Sequence, residues 1–347
     1  MRSAARVLAT LGVTLAIAPA AHVASFTPWP EGVDLETIPG TSDQINTDRQ
    51  DGCPIQSPDG LSLYMASNRK RSPEDPRTDL DIWVAHREST DAPWGAPENL
   101  GEPVNTTFDD FCPTPIRGGG LFFVSRKPGP GTCGLGDIYF TRHNPVHGWR
   151  EPEHLPCGSE GGPNSPLDEM GPSYVEAGDP SLYFSSGPDI YVSRQSQDGS
   201  FGPAVAVTEL NLPTSVDIQP NVRKDGREIV FASTRRAGTD QDVYSATRES
   251  VDDPWSTPVN LGEAINWPDR NETRPSLSWD ATTLYFGRAP LGLPGDIYIS
   301  TRGRPHGGRG SVADVSARAP RPRSRRAARP RWPAAPGRHG ERPRRAA

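Results

Sequence analysis

The sequence predicts an all-β fold: a five-bladed β-propeller of four-stranded antiparallel blades, with the last blade closed by an N-terminal strand. Three observations predict it. One pattern returns five times along the chain. Each copy is built from short apolar, β-branched and aromatic runs bounded by Gly, Pro, Asn and Asp, the composition of strands and tight turns rather than helices. The fifth copy stops one run short, and a matching run stands near the N-terminus.

Each copy opens with an acid, two residues and a proline: Asp51 to Pro54, Asp110 to Pro113, Glu169 to Pro172, Asp217 to Pro220 and Glu272 to Pro275. The prolines are spaced 59, 59, 48 and 55 residues apart, and an asparagine (Asn46, Asn105, Asn164, Asn211, Asn266) stands five or six positions before each acid. This opening predicts the inner strand of a blade. A tight turn follows, such as Pro58-Asp59-Gly60 or Lys224-Asp225-Gly226, with the chemistry of a hairpin. The second strand is the aromatic run, as in Leu63-Tyr64-Met65 or Leu121-Phe122-Phe123. A loop that often begins with arginine (Arg69, Arg126, Arg235, Arg288) leads to the third strand, Asp-Ile-Tyr or a close variant, at Asp81, Asp137, Asp189, Asp242 and Asp296. That strand ends in Arg87, Arg142, Arg194, Arg248 or Arg302, and an aromatic residue (Trp94, Trp149, Phe201, Trp255) opens the fourth. Trp29 to Leu35, followed by Ile45-Asn46, supplies the fourth strand that the fifth copy lacks. A single four-stranded sheet of this size cannot bury both faces, whereas radial stacking can, and closure by the N-terminus hides the sheet edges.

The Pro58-Asp59-Gly60 turn, the Tyr64-Met65-Ala66-Ser67 run and the Asp-Ile-Tyr/Trp motif make the repeat similar to the TolB-type, WD40-like β-propeller family of secreted bacterial proteins. The resemblance covers residues 29–302. It implies the fold and leaves function open, because propellers host binding, scaffolding and catalysis alike.

Residues 1–24 read as a signal peptide: Arg2 and Arg6, an uncharged apolar run from Val7 to Ile17, and the small-x-small site Ala18-Pro19-Ala20. The chain is therefore expected outside the cytoplasm, with no membrane span and as a monomer. The net charge of −6 hides two pieces: residues 303–347 hold 13 Arg against Asp314 and Glu341, giving +11, so the other 302 residues carry −17. The Arg/Pro/Ala-rich tail shows no strand pattern and is expected to be disordered. An acidic body argues against a nucleic-acid partner, because it repels phosphates.

Loop lengths place the expected binding face where the second-to-third-strand loops and the connections between blades emerge. On that face Asp51, Asp110, Glu169, Asp217 and Glu272 are expected to ring the mouth of the central channel. Such a ring is structural if each acid caps a turn or pairs with a loop arginine, and a cation site, with calcium as the candidate, if the oxygens converge. Four cysteines in an exported chain suggest disulfides, and Cys53–Cys112 with Cys133–Cys157 is the expected pairing. The sequence contains no Gly-x-Ser-x-Gly, phosphate loop or His-Glu-x-x-His, and no zinc-ligand spacing. The expected function is a non-enzymatic binding or interaction module for a protein or glycan ligand. The alternative is a carbohydrate-active enzyme, a glycoside hydrolase or polysaccharide lyase, with carboxylates at the channel; Asp109, Asp168 and Asp269 are the acids outside the repeat that such chemistry would draw on.

Overall fold

A computed structural model of the chain describes residues 26–236 and 240–304. The signal-peptide and most of the tail positions lie outside them. The described residues form five antiparallel sheets and only three short 3-10 turns as helical structure. β1 (Val33–Asp34) comes first. The first blade is β2 (Asp51–Gln56), β3 (Ser62–Ser67), β4 (Asp81–His86) and β5 (Glu98–Asn99). The second is β6 (Asp110–Ile116), β7 (Gly120–Ser125), β8 (Asp137–Asn144), a short β9 (Gly148–Trp149) that folds back on β8, and β10 (Glu153–His154). The third is β11 (Glu169–Val175), β12 (Ser181–Ser186), β13 (Asp189–Arg194) and β14 (Val205–Ala206). The fourth is β15 (Asp217–Val222), β16 (Glu228–Ser233), β17 (Asp242–Thr247) and β18 (Val259–Asn260). The fifth is β19 (Arg270–Leu277), β20 (Thr283–Pro290) and β21 (Asp296–Thr301), and β1 completes it, Val33 facing Ile299 and Asp34 facing Tyr298. The circularly permuted closure is thus present, and the five-bladed all-β fold is as expected.

The outer strands are shorter than the sequence pattern suggests. They do not begin at the aromatic residue but four residues later, and each pairs through two residues only. Pro97, Pro152 and Pro258 stand immediately before three of them, and proline cannot donate to a ladder. The repeated asparagine makes up the deficit. Asn105 Oδ1 accepts from Ile82 N at 2.8 Å while its Nδ2 donates to Ile82 O at 2.9 Å, so one side-chain amide acts as one more residue of strand. Asn46, Asn164, Asn211 and Asn266 do the same to Ile297, Ile138, Ile190 and Val243. This explains why Asn and Asp-Ile-Tyr recur together. Asn105→Ala is expected to lower stability by about 2–4 kcal/mol, because two buried backbone groups lose their partner, and denaturant unfolding measures it.

The aromatic residue and the arginine that ends the third strand also form a unit. Arg87, Arg248 and Arg302 each lie 4.2 Å from the ring centroid of Trp94, Trp255 and Trp29 and donate from Nε to the carbonyl of Gly60, Gly226 and Ala281 in the first hairpin turn. The apolar residues of the second strands fill the gaps between blades. Five clusters result, one in each gap; that between the third and fourth blades holds Tyr183, Ile190, Val222, Phe231 and Trp255. Among the described residues no helix is long and apolar enough to cross a membrane.

Candidate functional site

Asp51, Asp110, Glu169, Asp217 and Glu272 are fully buried at the start of the inner strands. Each is engaged by its own blade. Asp51 Oδ2 accepts from Thr47 N and Oγ1 at 2.7 and 2.8 Å, Asp110 Oδ2 from the matching atoms of Thr106, and Asp217 Oδ2 from Leu212 N at 2.8 Å. Arg69, Arg235 and Arg288 then pair with Asp51, Asp217 and Glu272 at 2.5, 2.9 and 2.8 Å. Asp110 and Glu169 lack such a partner. Burial pushes the Asp110 carboxyl up to about 6, and that of Glu169 up to about 7, although hydroxyl donors oppose both shifts. Arg126, the residue expected to serve the second blade, instead bridges Asp109 and Asp168 at 2.9 and 2.7 Å, tying the second blade to the third. Asp269 lies apart, with a left-handed backbone at φ 59°.

The channel wall belongs to other residues. A β-bulge in every inner strand, between the acid's neighbour and the residue after proline, swings one side chain inward: Cys53, Cys112, Gln219 and Arg274, with Gly171 in the third blade. They leave a neck of about 30 Å³, room for a water or two. Cys133 and Cys157 form a disulfide with Cα atoms 5.7 Å apart, as expected. Cys53 and Cys112, the other expected pair, are buried free thiols in this structure, their sulfurs 2.6 Å apart with the Arg274 guanidinium against them.

A cleft of about 580 Å³ opens between the second and third blades, lined by the loops that follow β7, β10 and β12. Larger openings of about 870 Å³, beside the hairpin turns of the fourth and fifth blades, and about 660 Å³, beside the outer part of the second blade, lack its disulfide-braced wall. The cleft's origin is a shortened loop. β12 ends at Ser186 and β13 begins at Asp189, leaving two residues where the second blade has eleven between Ser125 and Asp137. Gly187 makes this turn at φ 59°, and a Cβ there would come within 2.9 Å of Leu167. The missing loop takes with it the arginine that would pair with Glu169. The disulfide braces the opposite wall by joining the loop after β7 to the segment after β10. Ser165, Leu167, Ser186 and Tyr191 supply the polar and apolar lining. Ser165 Oγ and Ser186 Oγ donate to Glu169 Oε1 at 2.6 and 2.8 Å, which puts a carboxyl raised by burial to about 7 one hydroxyl behind the cleft surface.

Beside it, His154 Nε2 lies 2.9 Å from Asp137 Oδ2. Cys133, Asp137 and His154 place three donor atoms within 4.8 Å of one another, but the Cys133 sulfur is already committed to Cys157, so two ligands remain for a metal. Replacing both bridged cysteines by serine is expected to lower stability by about 3 kcal/mol, from a cross-link with a sequence separation of 24, as read by thermal or denaturant unfolding.

Sequence reasoning missed Ser165, Leu167, Ser186 and Tyr191. The signal for them was the short 48-residue spacing between Pro172 and Pro220, which marks the lost loop.

Strand order, closure and cleft together define a ligand-scale opening on a five-bladed propeller. No protein-family model matches the sequence, and no curated protein does. Solved structures of similar shape include the endo-arabinase from Bacteroides thetaiotaomicron VPI-5482, at 14% identity over 75% of this chain and 96% of that one, with a TM-score of 0.49. They also include a GH43 endo-arabinanase from Bacillus licheniformis, at 13% identity over 75% and 94% with a TM-score of 0.48. TolB from Acinetobacter baumannii aligns at 16% identity over 72% of this chain and 53% of that one, with a TM-score of 0.39. At this identity and overlap the likeness carries no argument about chemistry.

Proposed function

We propose that the protein works outside the cytoplasm, as a monomer, and binds a short saccharide in the cleft between the second and third blades. The observation that carries this is the cleft: its volume of about 580 Å³ is that of a small-molecule site, and an aromatic face, an aliphatic side chain and several hydroxyls converge on it. The disulfide and the signal-like N-terminus support export. Titration calorimetry against plant and microbial oligosaccharides is expected to find a ligand whose affinity falls at least tenfold in Tyr191→Ala and Leu167→Asp. Wild-type affinity in both variants would place the site elsewhere, and no binding across the panel would sink the saccharide reading.

One observation favours the second reading, hydrolysis. Burial raises the Glu169 carboxyl to about 7, the range a general acid needs, and the Ser165 hydroxyl stands between it and the cleft as the relay it would use. Release of reducing ends from the bound saccharide, lost in Glu169→Gln while binding persists, would establish it; binding without turnover would leave the protein a receptor.

A further inference from the structure

The neck of the channel carries chemistry that the cleft does not use. Cys53, Cys112, Gln219 and Arg274 hold left-handed backbones with φ of 49°, 49°, 58° and 52°. Non-glycine residues hold that conformation only under strain, and such strain gathers where side chains must be aimed. Here they are aimed at one another. The Cys53 and Cys112 sulfurs, from adjacent blades, lie 2.6 Å apart, and Arg274 Nη1 from the fifth blade touches Cys53 Sγ and lies 2.6 Å from Cys112 Sγ. Both thiols are buried, 5% and 3% exposed. Arg274 makes no ion pair with a carboxylate among the described residues; its other polar contact is from its backbone N to Gln219 Oε1 at 3.0 Å. A half-buried guanidinium with no carboxylate partner is costly, and the nearest groups able to become an anion are the two thiols.

We propose that Cys53 and Cys112 form a redox pair that a small hydroperoxide oxidises to an inter-blade disulfide, with Cys53 as the attacking thiolate, Cys112 as the resolving thiol and Arg274 as the positioning cation. Burial opposes ionisation of Cys53, but the contacts with Cys112 and Arg274, whose Nη1 lies closer to Cys53 Sγ, outweigh it and lower the thiol, whereas Cys112 is raised. The Cys53 thiolate attacks one peroxide oxygen. The O–O bond breaks, an S–O bond forms, and hydroxide leaves and takes a proton from solvent. The Cys112 sulfur then attacks the Cys53 sulfenic acid, its proton leaving with the hydroxyl as water. Two thiols and one hydrogen peroxide give one disulfide and two waters. The neck, with room for about two waters, admits hydrogen peroxide and bars glutathione disulfide or a protein partner.

The experiment treats the reduced full chain with hydrogen peroxide and follows free thiols by alkylation and peptide mapping. Cys53 and Cys112 are expected to lose label together and become a cross-linked peptide pair. Cys112→Ser with dimedone present is expected to trap sulfenic acid on Cys53. Arg274→Gln is expected to slow oxidation at least tenfold, and tert-butyl hydroperoxide to react more slowly than hydrogen peroxide. The urea-unfolded wild type provides the comparison that does not depend on a variant folding, and the native chain should react at least tenfold faster. Persisting thiols, dimedone on Cys112 in Cys53→Ser at the rate seen for Cys53, an unchanged rate in Arg274→Gln, or equal rates folded and unfolded would each overturn the proposal.

Discussion

Arg302→Ala is expected to cost about 3–5 kcal/mol and to lower the unfolding midpoint by about 10 °C, while a chain ending at Arg304 unfolds as the full chain does. Arg302 is the last residue of the last repeat, only 8% exposed, and it joins three parts of the ring. Its Nη1 and Nη2 grip both oxygens of Glu228 in the fourth blade at 2.8 and 2.6 Å. Its Nε donates to Ala281 O in the fifth blade. Its plane lies 3.9 Å from the Phe26 ring centroid and 4.2 Å from that of Trp29, on the segment that closes the ring. Alanine removes the fork and leaves Glu228, 4% exposed, with Arg223 at 2.9 Å as its remaining cation. Glu228 thus keeps one cation, and the cost comes from the lost bidentate fork, the half-compensated buried carboxylate and the lost stacking on Phe26 and Trp29. Arg302→Lys should recover less than half of the loss, because an ammonium cannot match a carboxylate bidentately or stack as a guanidinium does. If Arg302→Ala unfolds within 2 °C of the wild type, the closure does not depend on this residue. If Glu228→Gln with Arg302→Met is as unstable as Arg302→Ala, the cost is lost packing rather than an orphaned charge.

The same residue shows where the sequence was readable and where it was not. The repeat was visible because its parts are local: a turn, an apolar run, Asp-Ile-Tyr and a terminal arginine, each at a nearly fixed distance from the next. What those parts do is non-local. The arginine that ends the third strand reaches back to the first hairpin turn and forward to the aromatic residue. The asparagine of one connection completes a ladder at a strand more than twenty residues earlier, and in Asn46 one that lies 251 residues away. No spacing rule conveys that. The cleft was legible only as a deficit, the short third repeat, because an absent loop leaves no residues to notice. The channel residues were hidden for another reason. Cys53, Cys112, Gly171, Gln219 and Arg274 share a repeat position, but their lack of common chemistry masked the shared backbone. The acids beside them recurred and drew attention, yet their carboxylates serve the connections between blades.

Glu169 should make the protein less stable as pH rises from about 4.5 to about 7, the opposite of the usual behaviour of a paired carboxylate. Its folded carboxyl is pushed up to about 7 from 4.5, mainly by burial. Across that window the unfolded chain gives up the proton and the native one retains it, so the native state binds more protons and stability falls with pH. Below the window both states are protonated and the effect vanishes; above it the full penalty is present, about 3 kcal/mol. Asp110, raised to about 6, adds in the same direction over a lower range. Glu169→Gln keeps the shape and the acceptor oxygen that takes bonds from Ser165 and Ser186, and replaces a titrating oxygen, Oε2, that has no partner in the fold. It is therefore expected to match the wild type at pH 4 and exceed it by about 2–3 kcal/mol at pH 8, in urea unfolding at fixed ionic strength. Asp110→Asn should flatten only the lower part of the profile. Parallel profiles for wild type and Glu169→Gln would mean that water or a bound cation already stabilises the ionised form. The loop deletion in the third blade would then have opened the cleft without changing the acid behind it. A Glu169→Gln profile that keeps only the shallower slope left by Asp110 and Glu272, whose carboxyls burial raises to about 6 and about 7, would tie the two together: the deletion that opened the cleft also removed the arginine's slot beside Glu169.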